Sequence, residues 1–367
     1  MQEVIISKNE AGQRFDKFLG KFFKEAGSGF IYKMLRKKNI ELNGKKATGN
    51  EKLNVGDSVR IFMADDTIAK FRGTPVAIAM SSKNALVSST NNINTDLKTG
   101  INGNTTASKE LNIKENIIYE DENVIFVNKP AGILSQKAAP TDISINELII
   151  DYLLETEALT EEELLTFKPS VCNRLDRNTT GIITFGKSLA GIQELSKGFK
   201  DRSFDKYYLT IVWGRLDDKK TIEGYLAKDE AKNKVTITAA PSQNDIKANV
   251  EKASFIETEY EPLKHGIIEL DGKEREITLL KIKLITGKTH QIRAHLSSTG
   301  HGILGDDKYG KRNDNVHLKK QYDIKYQLLH SYELHFGKLD DEYEALKPLQ
   351  DKTFIGKYDK IYDTLFK

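Results

Sequence analysis

A chain of 367 residues exceeds what one ordinary hydrophobic core serves, so two domains are expected. Lys and Arg total 56 against 53 for Asp and Glu, a net charge of +3, which is too balanced for a protein that coats a polyanion with its whole surface; any basic surface must be local. The single cysteine, Cys172, rules out a disulfide framework and a thiolate metal cluster. No apolar run reaches membrane-spanning length and none follows a basic start, so no membrane partner and a cytoplasmic location are expected.

Residues 1–65 read as a first compact unit. The stretch Ile31–Lys38 has helical spacing, with Ile31 and Leu35 on one face and Lys33, Arg36 and Lys37 on another. Ile40 and Leu42 alternate into Asn43-Gly44, a pair that tolerates positive φ and favours a hairpin. Gly56-Asp57 followed by Val59 and Ile61 gives a further turn and strand. Six basic residues and one acid lie between Ile31 and Lys46. Such a run on an isolated helix is usually just a solvated face. Here the helix leads into a hairpin carrying Lys45 and Lys46, and an RNA-phosphate surface of Lys33, Arg36, Lys37, Lys38 and Lys45 is the better reading.

From Ser81 to Asn112, 19 of 32 residues are Ser, Thr, Asn or Gly and none is aromatic. Such a stretch cannot bury enough apolar area to offset its ordering entropy, so residues 66–113 are expected to be a flexible linker. Pattern resumes at Ile117–Tyr119, turns at Glu120–Asn123 and returns at Val124–Val127, which reads as two strands closed by Lys129-Pro130. One helix is expected over Leu148–Leu165, and strands over Tyr208–Trp213 and Leu279–Ile285. Helices and strands mix without a regular strand–helix repeat, so residues 114–367 are expected to form an α+β domain.

Two stretches carry the chemistry. Asn173–Gly181 holds Asp176, with arginines two residues before it and one after it. Opposite charge nearby favours a carboxylate's charged form, which suits a nucleophile or electrostatic partner better than a proton donor. Asp also braces turns, and spacing alone leaves those two roles for Asp176 evenly matched. The second stretch, Thr286–Leu296, is rich in donors (Lys288, Thr289, His290, Gln291, Arg293, His295) and lies between a strand-like and a helix-like segment. Donors at such a turn suit a polyanionic substrate. Together the two stretches read as an enzyme acting on nucleic acid.

Gly287-Lys288-Thr289 is not a nucleotide phosphate loop, because Ile282 stands where that loop needs its first glycine. His290 and His295, five residues apart, would diverge by roughly 140° around a helix, and there is no His-Glu-x-x-His pattern, so no metal is expected. Each histidine reads as a substrate contact or a buried hydrogen-bonding residue. Ile292 and Leu296 mark a buried helix face, from which Arg293 emerges about 100° around the axis. A structural ion pair and the orienting of a catalytic Asp are both open to Arg293, and they are compatible.

At these residues the chain resembles the large-subunit ribosomal RNA pseudouridine synthase family. Arg174–Gly181 is similar to its His-Arg-Leu-Asp-x-x-Thr-Ser-Gly motif, and Lys206–Gly214 to its Lys-x-Tyr-Leu-x-x-Val-x-Gly motif. Gly287–Arg293 with Gly305-Asp306 and Tyr309-Gly310 resembles a third motif, and Leu329-His330-Ser331 a weaker one. Residues 1–65 resemble the small RNA-binding domain named after a ribosomal small-subunit protein, the S-four domain. Asn173, Thr180 and Lys288 depart from the usual His, Ser and Arg, and bear on substrate positioning.

The resemblance implies a pseudouridine synthase catalytic domain with a mixed, largely antiparallel sheet, preceded by a small α/β RNA-binding domain. It implies an isomerisation of uridine to pseudouridine in RNA, most readily large-subunit ribosomal RNA, with no cofactor, no obligate protein partner and a monomeric state. Asp176 then takes the essential carboxylate's place, Tyr208 packs on the base and accepts a proton, and Arg293 pairs with Asp176. Arg174, Lys288, Thr289, His290, Gln291 and Leu329 take substrate-binding places. A uridine stacked in RNA must be flipped out, and Arg174 is the candidate to brace the vacated space. Two competing readings are the same chemistry on transfer RNA and a non-catalytic RNA-binding assembly factor.

Overall fold

The computed structural model describes residues 1–72, 111–229, 234–238 and 253–367, which fall into two compact units. The first is built on a four-stranded sheet of order β1-β4-β2-β3, formed by β1 (Gln2–Ile5), β2 (Ile40–Leu42), β3 (Lys45–Lys46) and β4 (Ser58–Ile61). Phe15, Phe18, Leu19 and Phe22 recur at helical spacing and are the buried face of the helix Phe15–Phe22. Ile31, Met34 and Leu35 do the same for the helix Ser28–Arg36. Both faces enter one core with Ile40, Val59 and Ile61 from the sheet. Asn43 (φ 52°) and Gly44 (φ 71°) make the expected tight hairpin turn, and Lys33, Arg36, Lys37, Lys38 and Lys45 are all exposed.

The boundaries of this unit differ from the expected ones. Asp65–Arg72, inside the stretch read as a linker, is a helix whose Ile68 is buried and whose Phe71 lies 4.2 Å from the Phe30 ring. At the other end of that stretch, Asn112 caps the short helix Ile113–Asn116 by accepting from the Lys114 N–H. Residues 73–110, which hold nearly all of the Ser/Thr/Asn/Gly-rich segment, lie outside the described residues. Residues 150–170 and 188–190 pack with the N-terminal unit rather than with the rest of residues 114–367. One such link is the hydrogen bond from the Thr166 hydroxyl to Glu10.

The single helix expected over Leu148–Leu165 is two helices, Ile145–Glu155 and Glu163–Thr166. Glu157 turns left-handed (φ 57°) and ends the first. The second starts at a reciprocal cap: the Glu163 carboxylate accepts from the Thr160 N–H, and the Glu163 N–H donates back to the Thr160 hydroxyl. Thr160-Glu161-Glu162-Glu163 is thus a capping box, a start signal present in the sequence that the run of acids obscured.

The second unit is an α+β domain on an 11-stranded sheet. Its strands are β5 (Ile117–Glu120), β6 (Val124–Lys129), β7 (Ser170–Val171), β8 (Thr180–Gly186), β9 (Phe204–Trp213), β10 (Lys220–Asp229), β11 (Lys234–Thr238), β12 (Ser254–Leu270), β13 (Lys273–Leu284), β14 (Leu329–Phe336) and β15 (Thr353–Ile355). The order is β11-β10-β12-β13-β9-β14-β8-β6-β5, with β15 beside β14 and β7 beside β8. β14 runs parallel to β8 and antiparallel to β9. The sheet is mixed and largely antiparallel, as expected. The pairing of β14 with β8 and β9 matters most for the site, because it sets the Asp176 loop, which leads into β8, next to Tyr208 on β9.

Candidate active site

Asp176 sits in the short loop before β8, and two side chains, Ser135 and Lys129, fix that loop. Ser135 Oγ accepts from the Leu175 N–H at 2.9 Å and donates to the Leu175 carbonyl at 2.8 Å. Lys129 is fully buried, and its Nζ donates to the carbonyls of Pro130, Ile133 and Arg177 at 2.9, 2.9 and 3.0 Å. Burial pulls the Lys129 ammonium down to about 7, against the opposing pull of Asp176. Three carbonyl acceptors match the three protons of the ammonium form. Residues on both sides of Asp176 are therefore anchored while its own side chain stays a quarter exposed.

The arginine that pairs with Asp176 comes from across the sequence. Arg293 Nη1 donates to Asp176 Oδ2 at 2.7 Å. Arg293 is itself 7% exposed and lies on the helix Gln291–Ser298, which follows β13. Its other edge is gripped by Asp306: Nε donates to Oδ2 at 2.7 Å and Nη2 to Oδ1 at 2.9 Å. Asp306 is fully buried, and Oδ1 also accepts from the N–H groups of Lys308 and Tyr309 at 2.9 Å each. Burial would raise the Asp306 carboxyl, but the hydrogen bonds and charge of Arg293 outweigh it and hold the group below the usual carboxylate range. Burial would likewise lower Arg293, and its two carboxylates push it the other way. A buried charge is tolerated when its hydrogen-bonding capacity is matched, and here the fork of Arg293 is matched on both sides.

Asp176 Oδ1 accepts no hydrogen bond from the described residues, so one carboxylate oxygen is oriented and the other is open. His290 lies beside the pair, its Nε2 3.9 Å from Asp176 Oδ2 and its Nδ1 3.1 Å from the Tyr309 hydroxyl. It caps the Arg293 helix in a left-handed conformation (φ 55°). Burial, helped by the charges of Arg293 and Lys308, lowers its pKa against the pull of Asp176 and Asp306.

Tyr208 is buried in an apolar cluster with Leu175, Ile292 and Leu329. Burial pushes its hydroxyl up to about 12, the neighbouring Ser331 side chain acts in the opposite direction, and the charge of Asp176 adds to the rise. Ser331 is the direct cross-strand neighbour of Tyr208. The phenol is therefore protonated at neutral pH.

Other residues singled out from sequence take varied places. Arg174, Arg177, Lys288 and Thr289 are exposed. Gln291 is 2% exposed, and both ends of its amide are engaged by protein: Oε1 accepts from the Thr286 hydroxyl and the Lys288 N–H, and Nε2 donates to the Glu257 carbonyl and the Thr258 hydroxyl. It folds the turn rather than reaching outward. His295, 1% exposed, bonds to Thr258. Leu329 is 4% exposed and supports Tyr208 from within the core. Asn173 and Thr180, read as bearing on substrate position, are scaffold contacts. Asn173 Oδ1 accepts from the Thr184 N–H, and the Thr180 hydroxyl bonds to His330. Sequence reasoning assigned no role to Lys129, Ser135, Asp306 or Ser331. A Lys-Pro pair ending a strand and the Gly-Asp of the third motif were the available signals.

A carboxylate with one open oxygen, aligned by a clamped arginine next to a buried phenol, suits covalent or electrostatic work on a flat ring. It leaves the phenol able to move a proton. Comparison with known proteins agrees. The model of the RNA pseudouridylate synthase family matches residues 123–298. The ribosomal large subunit pseudouridine synthase C of Buchnera aphidicola subsp. Schizaphis graminum is 30% identical over 91% of this chain and 88% of its own. The protein of the same name from Vibrio cholerae is 26% identical over 92% of this chain and 89% of its own. A solved human RNA pseudouridylate synthase domain-containing protein 4 is 19% identical, with a TM-score of 0.49, over 70% of this chain and 93% of that one. With a relative at 30% identity across most of both chains and a family model spanning the Asp176, Tyr208 and Arg293 segments, the chain belongs to the RNA pseudouridylate synthase family.

Proposed function

We propose that this isomerase converts uridines of large-subunit ribosomal RNA to pseudouridine, with Asp176 as the reacting carboxylate, Arg293 as the group that orients it and Tyr208 beneath the base. The observation that carries the reading is the buried chain Asp306–Arg293–Asp176, which fixes one oxygen of Asp176 and leaves the other open. The reaction moves the sugar from N1 to C5 and one proton from C5 to N1, so it changes no oxidation state. Ribosomal RNA is favoured over transfer RNA because the relatives above carry ribosomal large-subunit names.

Tyr208 enters after Asp176. Its hydroxyl is held protonated by burial and by the Asp176 charge, with Ser331 acting in the opposite direction. Once the Asp176 carboxylate is consumed in a covalent bond, that charge is gone and the opposing effect of the neighbouring Ser331 side chain remains. The phenol then ionises more readily: its own proton balances the one that N1 takes up, and the phenolate accepts the proton from C5. Lys288, Thr289 and Arg174, all exposed, are assigned to RNA outside the reacting ring. Residues 1–72 are assigned as an S-four-like RNA-binding unit, and the chain as a monomer.

The test is release of tritium from ribosomal RNA labelled at uridine C5, with pseudouridine mapped in the product. Asp176→Asn is nearly isosteric and should abolish release while RNA affinity stays within about twofold, because the change touches one charge and no packing. Normal release by this variant would remove Asp176 from the mechanism. Release from transfer RNA alone would move the substrate assignment.

A further inference from the structure

Lys206 lies two residues before Tyr208 on β9, hence on the same face of the sheet. The opposite face of these strands carries lysines that have carboxylate partners. There, Lys281 pairs with Glu333 at 2.8 Å and Lys283 with Asp205 at 2.9 Å, both lysines flanking the Tyr207 ring. Lys206 has no carboxylate partner among the described residues. Its ammonium sits 5.2 Å from the Phe199 ring, and the charge that acts on it is another cation, Arg202. Burial, and then Arg202, lower its pKa. A partly buried cation beside a second cation destabilises the free protein unless an anion arrives.

A second, independent observation points to where the anion would come from. Gly287 opens the turn that carries Lys288, and its φ lies outside the left-handed region, so the backbone does not demand glycine there. Among the described residues, and chain neighbours apart, the one heavy atom that a Cβ at this position would meet within 4 Å is Lys206 Nζ, at 3.6 Å. The bare glycine leaves the approach to that ammonium uncovered. Lys288, the next residue, is exposed in the same turn and adds a second positive charge.

We propose that Lys206, left uncovered by Gly287 and joined by Lys288, seats a phosphodiester of the bound RNA strand next to the target uridine. The proposal rests on the RNA-modifying reading and names the group that holds the strand on the Tyr208 side of the site. Two ammonium groups and a turn free of side chain suit a compact tetrahedral anion, and the nearness to Tyr208 limits the choice to phosphates close to the flipped nucleotide. Occupation also neutralises the unpaired cation, so binding relieves a cost carried by the free protein.

The experiment pairs Lys206→Met, which keeps the stem against Phe199, with a stem-loop RNA in which single phosphates around the target uridine are replaced by neutral methylphosphonates. The free Met variant should melt at or above the wild-type temperature, bind the all-phosphate RNA about tenfold more weakly and lose about 0.7–0.9 of salt slope. One methylphosphonate should weaken the wild type by a similar factor and leave the Met variant unaffected. Lys206→Arg should recover the salt slope, and Gly287→Val should weaken binding without removing a charge. A Met variant that melts lower yet binds RNA normally would make Lys206 a structural residue and overturn the proposal. So would equal methylphosphonate losses in both proteins, or competition by inorganic phosphate with no RNA effect. Wild-type tritium release reports separately on the catalytic reading: RNA binding with this phosphate coupling but no release overturns that reading and supports the seat.

Discussion

At the scale of single residues, Arg293 is shared by two carboxylates with different jobs. Asp306 takes two of its nitrogens and is fully buried; Asp176 takes the third and is a quarter exposed. Asp306 never meets the open side of the site, so its effect on Asp176 passes through the guanidinium. Asp306→Asn should leave the RNA KM nearly unchanged and lower kcat by about ten- to a hundredfold, because a misplaced partner costs alignment rather than binding. It should also cost about 3 kcal/mol of stability, since the buried Arg293 loses the charge of the carboxylate that holds two of its three nitrogens. Tritium release at saturating RNA and urea unfolding measure the two. A fall in KM-linked affinity with normal kcat would instead make Asp306 an RNA contact.

At the scale of elements, β14 joins the parts of the site. It lies between β8 and β9, setting Ser331 against Gly181 on one side and Tyr208 on the other. Gly181 has φ 102°, and a Cβ there would stand 2.2 Å from the Ser331 carbonyl oxygen, so only glycine allows β8 to approach at this point. His330, one residue away, locks the strand: Nε2 faces the Gly356 carbonyl at 3.2 Å, and Nδ1 faces the Thr180 hydroxyl at 2.7 Å. These partners fit a neutral ring with its proton on Nε2. Burial pulls its pKa from 6.5 down to about 4, against the Gly356 carbonyl. The unfolded chain takes up a proton between those values that the folded one refuses. The contribution is therefore complete above pH 6.5 and lost as pH falls through about 4, in total about 3 kcal/mol. Urea unfolding at pH 7 and pH 4 should show that loss in the wild type and a smaller one in His330→Gln. Equal losses in both would place the acid sensitivity elsewhere.

At the scale of the whole molecule, the two compact units carry different kinds of signal. In the first, Lys33, Arg36, Lys37 and Lys38 are exposed, and none has an ion-pair partner among the described residues. If each meets a phosphate, replacing all four by Gln should lower the salt slope of RNA binding by roughly 0.7–0.9 per residue while kcat at saturating RNA stays the same. An unchanged slope would assign this face to plain solvation. Point changes are the right probe, because a cut at residue 65 would run through the unit: Phe71 and residues 150–170 pack with it.

The sequence by itself determined whatever depends on near neighbours. The Asn43-Gly44 hairpin, a helix through Ile31 and Leu35, the β5–β6 pair and the Arg293 helix with Ile292 and Leu296 buried all follow from turn chemistry and periodicity, which act over a few residues. The motif around Asp176 was legible by resemblance to the family, since spacing alone left catalysis and turn bracing evenly matched. Where local signals competed, as at Thr160–Glu163, a run of acids hid the start of a second helix. Only the tertiary structure decided which donors face a substrate and which hold the fold. Gln291, His295, Asn173 and Thr180 are as polar as Lys288, yet each finds a partner on another segment. It also decided that Lys129 sits under the Asp176 loop and that Asp306 clamps Arg293. Those contacts join residues far apart in the chain, and their strength comes from burial, which no short stretch of sequence encodes.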